Sequence, residues 1–234
     1  MSEGKFEAVI FDVDGLIVDS EALYCETFSE TLGDYGAAMS REDYTVCVGH
    51  PVADNCVYAV DRYKLDTKPE AFNKVWMGRF EVAISDPERV VLMPGFIGLL
   101  EGLRKQTLKL GIASSTERPR MEKTLRNGLL TRLNDIQDLN EIFGAILSGS
   151  DVKQVKPDPE IYLKAAKGMG VKPVKCVVFE DSEAGVRSAK AAGMTAVAVP
   201  NFFTSHQDHS MADKIVESLE EIRVEPGGIR MVGG

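Results

Sequence analysis

The stretch AVIFDVDG, residues 8–15, combines an apolar run with two closely spaced carboxylates. The apolar residues 8–11 predict a buried strand, and Asp12 and Asp14 fall just past its end. Ligands bind at the carboxyl ends of strands in an open α/β sheet, and the two-residue spacing points both side chains the same way while the chain stays extended. Gly15 then permits a sharp turn. Because unpaired buried carboxylates are costly, we expect this pair to serve a cation or a phosphate chemistry.

The overall composition is that of an ordinary globular protein, with 234 residues, 44% of them hydrophobic and 27% charged. The net charge of -9 provides no basic surface of the kind that nucleic acids require, so we expect no nucleic-acid partner. No apolar run approaches the ~20 residues of a membrane span, and the amino terminus has no basic segment followed by a long apolar run. The four cysteines form no CxxC pair, so we expect reduced thiols, no membrane partner and a cytoplasmic location.

Strand and helix patterns alternate through most of the remaining sequence. Short apolar strands without regular polar alternation are typical of a parallel sheet buried on both faces, and helical patterns separate them. Gly170 and Gly193 follow two of these helices, where carboxyl-terminal caps are expected. The pattern predicts a doubly wound parallel α/β sheet with a Rossmann-like core. The predicted strands are 8–11, 109–113, 145–147, 176–179 and 196–199, and the predicted helices are 96–105, 118–129, 159–169 and 183–192.

The interval from residue 19 to residue 92 breaks this alternation, because it contains helical patterns and no convincing strand. Three series of apolar residues each fall on one helical face, as in a small bundle. We therefore expect an all-helical cap domain, residues 19–92, inserted into an α/β core domain of residues 1–18 and 93–234. The polar segment 131–141 is expected to be a loop or a short helix, and the glycine-rich tail 226–234 is expected to fray. The three faces consist of Tyr24, Phe28, Leu32 and Tyr35; of Val52, Cys56, Val60 and Tyr63; and of Phe72, Val75, Trp76, Phe80 and Ile84.

Three further chemical groups follow predicted strands. Ser114 and Ser115 come after the second strand, and a hydroxyl with exposed backbone N–H groups at a helix start can bind an anion. Lys156 lies in the proline-stiffened loop VKPDP after the third strand, and Glu180 and Asp181 follow the fourth. Taken singly, the serine is more typical of a helix cap and the lysine of a solvated loop. Taken together, two acidic clusters at strand ends favour Mg²⁺, which takes a few carboxylate oxygens together with substrate phosphate.

These motifs, in this order, resemble those of the haloacid dehalogenase-like hydrolase superfamily, and the resemblance covers almost the whole chain. The run FDVDGLIVDSE, residues 11–21, is similar to the phosphatase and β-phosphoglucomutase branch, in which a small helical cap follows the first strand. The superfamily often has glycine before the motif lysine, where this chain has Val155, a difference that affects the loop and leaves the lysine in place. The four motifs correspond to Asp12 to Gly15, Ser114, Lys156 with Pro157, and Glu180-Asp181-Ser182 with Gly185.

The resemblance implies a phosphoric monoester hydrolase in which each core motif has a role. Asp12 is the implied nucleophile, which forms an aspartyl-phosphate that water then hydrolyses. Asp14 is the implied general acid for the leaving alcohol and the base for the water. Ser114 and the N–H of Ser115 are implied to hold phosphate oxygens. Lys156 is implied to neutralise charge on the nucleophile and on the phosphoryl group.

The resemblance also implies a Mg²⁺ cofactor. The implied ligands are Asp12, the backbone carbonyl of Asp14, and Asp181, with Glu180 as a further ligand or as a partner of the ligands. The metal would offset the repulsion between a carboxylate nucleophile and an anionic ester. Gly15, in the turn after the acidic pair, is expected to lie against the phosphate.

Three alternative functions remain open on the sequence. A mutase related to β-phosphoglucomutase typically carries a histidine and an arginine in its cap. Alignment places Tyr24 and Val52 at those two positions in this chain, which disfavours a mutase. A haloacid dehalogenase uses the nucleophile on carbon without Mg²⁺ and tends to lack the second aspartate, so Asp14 and the Glu180–Asp181 pair favour phosphoryl transfer. A non-catalytic binding protein of the same fold is disfavoured by the complete set of catalytic motifs.

Substrate choice is expected to lie in the cap, since the core motifs address only phosphate. Glu21, Tyr24, His50 and Arg118 are the candidates to face the leaving group, although His50 is more typical of a polar loop and Tyr24 of the cap core. We expect a small phosphate monoester, such as a sugar phosphate, a phosphoglycolate-like acid or a nucleotide, because a small cap closes over a compact leaving group. No long heptad pattern or exposed apolar strand is evident, so we expect a monomer.

Overall fold

The computed structural model describes residues 6–225 and 228–231. The described residues form two compact units, one within Met1–Asp19 and Leu92–Gly234 and the other in Ser20–Val91. The sequence analysis places the two domain boundaries after residues 18 and 92, and the compact units divide one residue away from each of these positions.

A six-stranded parallel sheet forms the centre of the first unit, with strand order β3-β2-β1-β4-β5-β6. The neighbours on each side of β1 are reached by crossovers in opposite directions, so the order reverses between β1 and β4. This reversal is the switch point at which doubly wound sheets bind their ligands. The strands of this sheet are β1 (Ala8–Phe11), β2 (Lys109–Ala113), β3 (Phe143–Leu147), β4 (Cys176–Glu180), β5 (Thr195–Ala198) and β6 (Lys214–Ile215).

The two central strands are buried along their whole length. All four residues of β1 and all five of β4 are inaccessible to solvent, which explains why both sequences are apolar without alternation. Phe11 and Phe179 are register partners, and their rings stack with centroids 5.6 Å apart. The prediction of a doubly wound parallel α/β sheet is confirmed.

Four α-helices pack beside the strands among the described residues of the first unit. Ser182 caps the last of these helices, its hydroxyl accepting the N–H of Gly185 at 3.1 Å. Gly170 ends the preceding helix with a φ of 65°, in the left-handed region that glycine adopts without strain. None of the described helices in either unit is both long enough and apolar enough to cross a bilayer. The helices of this unit are α5 (Phe96–Arg104), α6 (Arg118–Gly128), α7 (Glu160–Met169) and α8 (Glu183–Ala191).

Several elements differ from the sequence predictions. Strand β3 begins two residues earlier than predicted, and β6 has only two residues, too few for an apolar pattern to reveal it. The expectation that residues 226–234 fray is wrong for 228–231, which form β8 (Gly228–Met231) in an antiparallel pair with β7 (Ile222–Glu225). The rest of that segment lies outside the described residues. Segment 131–141 contains part of one short 3₁₀ turn, Leu130–Arg132, and all of another, Leu139–Glu141.

The second unit consists of helices without any strand among the residues of Ser20–Val91, as predicted. Its centre is a cluster of aromatic side chains around Phe28, whose ring lies 4.8 Å from the Trp76 centroid and 5.4 Å from that of Phe72. The indole N–H of Trp76 donates to the Tyr24 carbonyl and the Thr27 hydroxyl, both at 3.2 Å. The helices are α1 (Ser20–Gly33), α2 (Arg41–Tyr44), α3 (Val52–Tyr63) and α4 (Pro69–Ala83).

One member of the predicted apolar faces does not belong to this core. Val75 is 38% exposed, whereas its neighbour Trp76 is fully buried. A helix turns by 100° per residue, so two adjacent residues cannot both point at the centre of a narrow face. The sequence analysis also did not predict α2, which is a single turn capped by the Ser40 hydroxyl.

Replacing Phe28 by alanine is expected to destabilise the helical unit by about 3–5 kcal/mol, because the ring is fully buried and its removal leaves a cavity. Trp76 is the sole tryptophan and contacts Phe28, so its fluorescence during urea denaturation reports on this unit directly. Val82→Ala on the same unit is the control, since Val82 is 68% exposed and should change stability by less than about 0.5 kcal/mol. Equal midpoints for both variants would show that the cluster does not stabilise the unit.

Candidate active site

Asp12 lies at the switch point of the sheet. Its backbone N–H donates to the carbonyl of Phe179 at 3.1 Å, so the residue continues the pairing of β1 with β4. The residue is only 6% exposed although its side chain is a carboxylate. Strand pairing therefore brings Asp12 beside Glu180, which ends β4, and Asp181, which follows it.

The ammonium of Lys156 connects three of the strand ends. It donates to the Asp12 carboxylate in a close ion pair, to Glu180 Oε1 at 2.6 Å, and to the carbonyl of Ala113, the last residue of β2, at 2.9 Å. The lysine side chain is only 5% exposed. A buried ammonium whose three donors are all used is held in one position, which is what a charge-neutralising catalytic group requires.

Glu180 is a fully buried carboxylate with a partner on every side. Its Oε1 accepts from Lys156 and from the Tyr162 hydroxyl at 2.6 Å, and its Oε2 accepts from the Ser182 hydroxyl at 3.0 Å. A Cβ at position 185 would overlap the Glu180 carboxylate, so glycine is required where α8 begins. Glu180 is thus locked between α7, α8 and the lysine.

Asp181 is buried on the other side of the acidic cluster, beside the turn that follows Asp12. Its Oδ2 accepts from the Asn201 side-chain amide at 2.9 Å, and the same amide donates to the carbonyl of Gly15 at 3.0 Å. Gly15 has a φ of 78°, and a Cβ there would overlap the Asp181 carboxylate. The turn after β1 and the end of β4 are therefore in direct contact.

Asp14 is half-buried and faces the loop after β2. Its Oδ2 accepts from the hydroxyls of Ser114, at 3.1 Å, and Thr116, at 2.8 Å. The Ser114 hydroxyl also accepts the N–H of Thr116 at 3.0 Å, which fixes the loop ahead of α6. Ser115, between them, is exposed. The structure therefore brings Ser114 to Asp14, a contact that the sequence analysis did not predict.

Negative charge exceeds positive charge in the buried cluster around Lys156. Burial raises the pKa of Asp12; the Lys156 ammonium opposes that rise, and the neighbouring carboxylates of Glu180 and Asp14 add to it. Burial lowers the pKa of Lys156, but the attraction of Asp12 and Glu180 outweighs it and holds the ammonium charged. The cluster thus holds three buried carboxylates (Asp12, Glu180 and Asp181) and one lysine, which pairs with the first two, and the excess negative charge favours a further cation.

The donor set fits a hard divalent cation. Asp12, Glu180 and Asp181 each offer a carboxylate oxygen, and these oxygens lie within 4.8 Å of one another. Carboxylate oxygens are the ligands that Mg²⁺ takes in proteins, usually one or two of them with water and phosphate completing the shell. Since Glu180 already binds Lys156, Tyr162 and Ser182, Asp12 and Asp181 are better suited to direct ligation.

Arg118, Glu21 and His50 complete the set of predicted site residues. Arg118 pairs with Glu122 at 3.0 Å and Asp151 at 2.5 Å and donates to the Ile146 carbonyl, so it fastens α6 to the end of β3. Because these bonds already occupy the guanidinium, they argue against its predicted contact with the leaving group. Glu21 is half-buried in the first turn of α1, and His50 is exposed before α3. Both belong to the helical unit, and their predicted contacts with substrate stay predictions.

Three site residues escaped the sequence analysis. Thr116 directly follows Ser114 and Ser115, so its hydroxyl could have been recognised in the sequence as a further site group. Tyr162 has the position of an ordinary core residue on the buried face of α7, and only its hydroxyl contact distinguishes it. Asn201 lies three residues past the end of β5, so its place at the carboxyl edge of the sheet is the only signal that could have revealed it.

Residues 9–199 match the family described as haloacid dehalogenase-like hydrolase. The match begins in β1 and ends just after β5, so it includes all the site residues described above in the core unit except Asn201. It confirms the resemblance inferred from the order of the motifs.

Two relatives and one solved structure extend this finding. Protein CbbY of Rhodobacter capsulatus is 33% identical over 222 residues, which cover 92% of this chain and 94% of that protein. The phosphorylated carbohydrates phosphatase of Thermotoga maritima is 35% identical over 188 residues, covering 80% and 82%. A crystal structure of mutant CbbY from Rhodobacter sphaeroides, with an aspartate changed to asparagine and xylulose-(1,5)bisphosphate bound, is 28% identical, with a TM-score of 0.73 and coverage of 92% and 96%.

The family match spans most of the chain, the identities extend over four fifths or more of it, and a relative in this group is named as a phosphatase. The expectation of a phosphoric monoester hydrolase agrees with all three. This chain belongs to the haloacid dehalogenase-like hydrolase family, in its phosphatase branch.

Proposed function

We propose that the chain is a Mg²⁺-dependent phosphatase that hydrolyses a small phosphate monoester through an aspartyl-phosphate on Asp12. The observation that carries this proposal is the buried cluster at the switch point, in which the ammonium of Lys156 pairs with Asp12 and Glu180, and Asp181 brings a third carboxylate within 4.8 Å of those two. A structural ion pair would not need three carboxylates for one lysine. Phosphoryl transfer depends on positioning and charge neutralisation, and this cluster supplies both.

In the first step, a carboxylate oxygen of Asp12 attacks the phosphorus atom of the ester. The bond between phosphorus and the leaving oxygen breaks as the bond to Asp12 forms, and Asp14 donates a proton to the departing alcohol. Lys156, held by the Ala113 carbonyl and Glu180, stabilises negative charge on the transferred group. The hydroxyl of Ser114, close to Asp14 at the carboxyl end of β2, is suited to hold a phosphate oxygen.

In the second step, water attacks the phosphorus atom of the aspartyl-phosphate. Asp14, now ionised, accepts a proton from that water, and the bond between phosphorus and Asp12 breaks to release inorganic phosphate. The carboxylate of Asp12 and the protonated Asp14 are restored. The hydroxyl of Thr116 holds Asp14 beside the turn in both steps.

Asp12 and Asp181, with the backbone carbonyl of Asp14, are the groups that would hold Mg²⁺. When bound, Mg²⁺ offsets the repulsion between the carboxylate nucleophile and the anionic ester. Glu180 would support this site from its buried position, since its oxygens already accept three hydrogen bonds from side chains.

The proposed substrates are sugar phosphates and similar small esters. The support comes from relatives, one named for phosphorylated carbohydrates and one solved with xylulose-(1,5)bisphosphate. We also propose that the Ser20–Val91 unit acts as a cap that admits such substrates and that the enzyme works in the cytoplasm as a monomer. Its four cysteines are buried free thiols, which suit a reducing compartment.

Changing Asp12 to asparagine is expected to lower kcat by about 10⁴-fold or more, because the amide keeps the shape of the side chain but cannot act as the nucleophile. Phosphate release from a sugar phosphate, measured with saturating Mg²⁺, provides the assay. Asp66→Asn is the matched control, since Asp66 is an exposed residue between α3 and α4 and should leave kcat within about twofold of the parent. Turnover by the Asp12 variant at a rate similar to that of the parent would remove Asp12 from the mechanism.

Changing Asp14 to asparagine is expected to separate the two steps. With p-nitrophenyl phosphate, whose leaving group departs without a proton, the variant should release about one equivalent of nitrophenolate per enzyme and then turn over about 10²–10⁴-fold more slowly than the parent. Rapid mixing with absorbance detection measures the burst. A steady rate equal to that of the parent would show that Asp14 does not transfer the proton.

A panel of phosphate esters assayed with and without Mg²⁺ tests the metal and the substrate class together. We expect activity to disappear after chelation, to return with Mg²⁺, and to be highest on sugar phosphates, phosphorylated small acids or nucleotides. A phosphoprotein as the best substrate would contradict the proposed class, and full activity after chelation would contradict the metal. Conversion of a hexose 1-phosphate into its 6-phosphate would instead identify a mutase.

A further inference from the structure

Asn201 joins two segments of the proposed active site that are far apart in the sequence. It follows β5, which pairs with β4, so it lies at the same carboxyl edge of the sheet as Asp181. Its side-chain amide donates one hydrogen bond to Asp181 Oδ2 at 2.9 Å and another to the carbonyl of Gly15 at 3.0 Å. Both donors of the amide are therefore used, one on each segment.

The orientation of this amide is fixed by its own turn. The Asn201 Oδ1 accepts the N–H of Phe203 at 2.8 Å, and the Asn201 N–H donates to the Thr204 hydroxyl at 3.1 Å. Because Oδ1 can accept from Phe203 only in this orientation, the NH₂ group must face Gly15 and Asp181. The turn at 201–204 thus presents a donor pair rather than an acceptor to the acidic cluster.

The contact is too close to be incidental. A Cβ at Gly15 would lie 2.7 Å from Asn201 Nδ2, and it would also overlap the carboxylate of Asp181. The backbone of Gly15 has the left-handed φ of 78° that lets these three groups meet. The carboxylate, the amide and the turn after β1 are packed without space for any side chain at residue 15.

We propose that Asn201 is a positioning residue for metal binding, which holds the Asp181 carboxylate in its orientation and ties it to the turn that carries Asp14. The inference rests on the proposed function, since it assigns Asp181 as a metal ligand. The physical basis of this role is that the Asn201 amide is an uncharged donor. A neutral amide orients a carboxylate without competing with the cation for its charge, whereas the ammonium of Lys156 is paired with Asp12 and Glu180 on the other side of the cluster.

The hydrogen bond from Asn201 to the Gly15 carbonyl also affects a second proposed metal ligand. Asp14 is adjacent to Gly15, and its backbone carbonyl is one of the proposed metal ligands. By donating to both Gly15 and Asp181, Asn201 fixes two ligand-bearing segments relative to each other. Partners of this kind typically change metal affinity by 10–100-fold when they are removed.

The test compares Asn201→Ala with Thr204→Val. Each variant leaves one backbone N–H of the 201–204 turn without its side-chain acceptor, but only the first removes the donors to Asp181 and Gly15. We expect Asn201→Ala to raise the Kd for Mg²⁺ by about 10–100-fold and Thr204→Val to change it by less than about threefold. Isothermal titration with Mg²⁺ alone, without substrate, measures both values independently of activity.

The dependence of the reaction rate on Mg²⁺ concentration tests the role of Asn201 a second time. If Asn201 positions the metal ligands, Asn201→Ala should raise the Mg²⁺ concentration for half-maximal rate by the same factor as the Kd, while kcat at saturating Mg²⁺ falls much less. Asn201→Ser controls for misfolding of the alanine variant, because a serine hydroxyl at residue 201 can still accept the N–H of Phe203. This variant should keep the thermal stability of the metal-free parent and lose Mg²⁺ affinity as the alanine variant does.

Asp181→Asn separates failure of this inference from failure of the proposed function. If Asp181→Asn weakens Mg²⁺ binding and both Asn201 variants bind Mg²⁺ like the parent, the role of Asn201 is wrong and the metal site stands. If Asp181→Asn leaves the Kd unchanged, the proposed metal site is wrong and the role of Asn201 falls with it. Equal losses in Asn201→Ala and Thr204→Val would show that only the turn matters, which also overturns the inference.

Discussion

The buried ammonium of Lys156 is the interaction on which the rest of the site depends. A carboxylate such as Glu180, fully removed from solvent, is strongly destabilising unless a charge and hydrogen bonds compensate it. Lys156 supplies that charge to both Glu180 and Asp12, and its remaining donor binds the end of β2. Without the lysine, burial of Asp12 and Glu180 in one cluster would be unfavourable. The same contacts that make the cluster stable therefore prepare it for anionic chemistry.

The sheet topology explains why these groups meet. Three parallel neighbours, β2, β1 and β4, end at one edge, and the order of strands reverses between the last two. Asp12 follows one strand, Glu180 ends another, and the loop after β3 delivers Lys156 to both. Asp12 and Glu180 are fixed directly at strand ends, whereas Lys156 comes from the longer connection between β3 and α7 and is held in place by its bonds to those ends.

Much of the core was predictable because its signals are local. The strand at residues 8–11 and the acidic groups at strand ends are visible in the sequence, since burial on both faces leaves no polar alternation. The contacts of Tyr162 and Asn201 are not local: their partners Glu180 and Asp181 lie 18 and 20 residues away, and Gly15 lies 186 residues from Asn201. A sequence pattern reports the face that a residue buries and not the hydroxyl or amide partner that it finds there. Short elements such as β6 are determined by pairing with β5 rather than by their own two residues.

The glycine at residue 185 has an electrostatic consequence. The absence of a side chain lets the first turn of α8 lie against the Glu180 carboxylate, and the backbone N–H of Ser182 points to its Oε2 at 3.3 Å. The amino end of a helix carries the equivalent of about half a positive charge. The α8 macrodipole therefore shares with Lys156 the neutralisation of Glu180, and this leaves more of the lysine's charge for Asp12 and for whatever anion Asp12 meets.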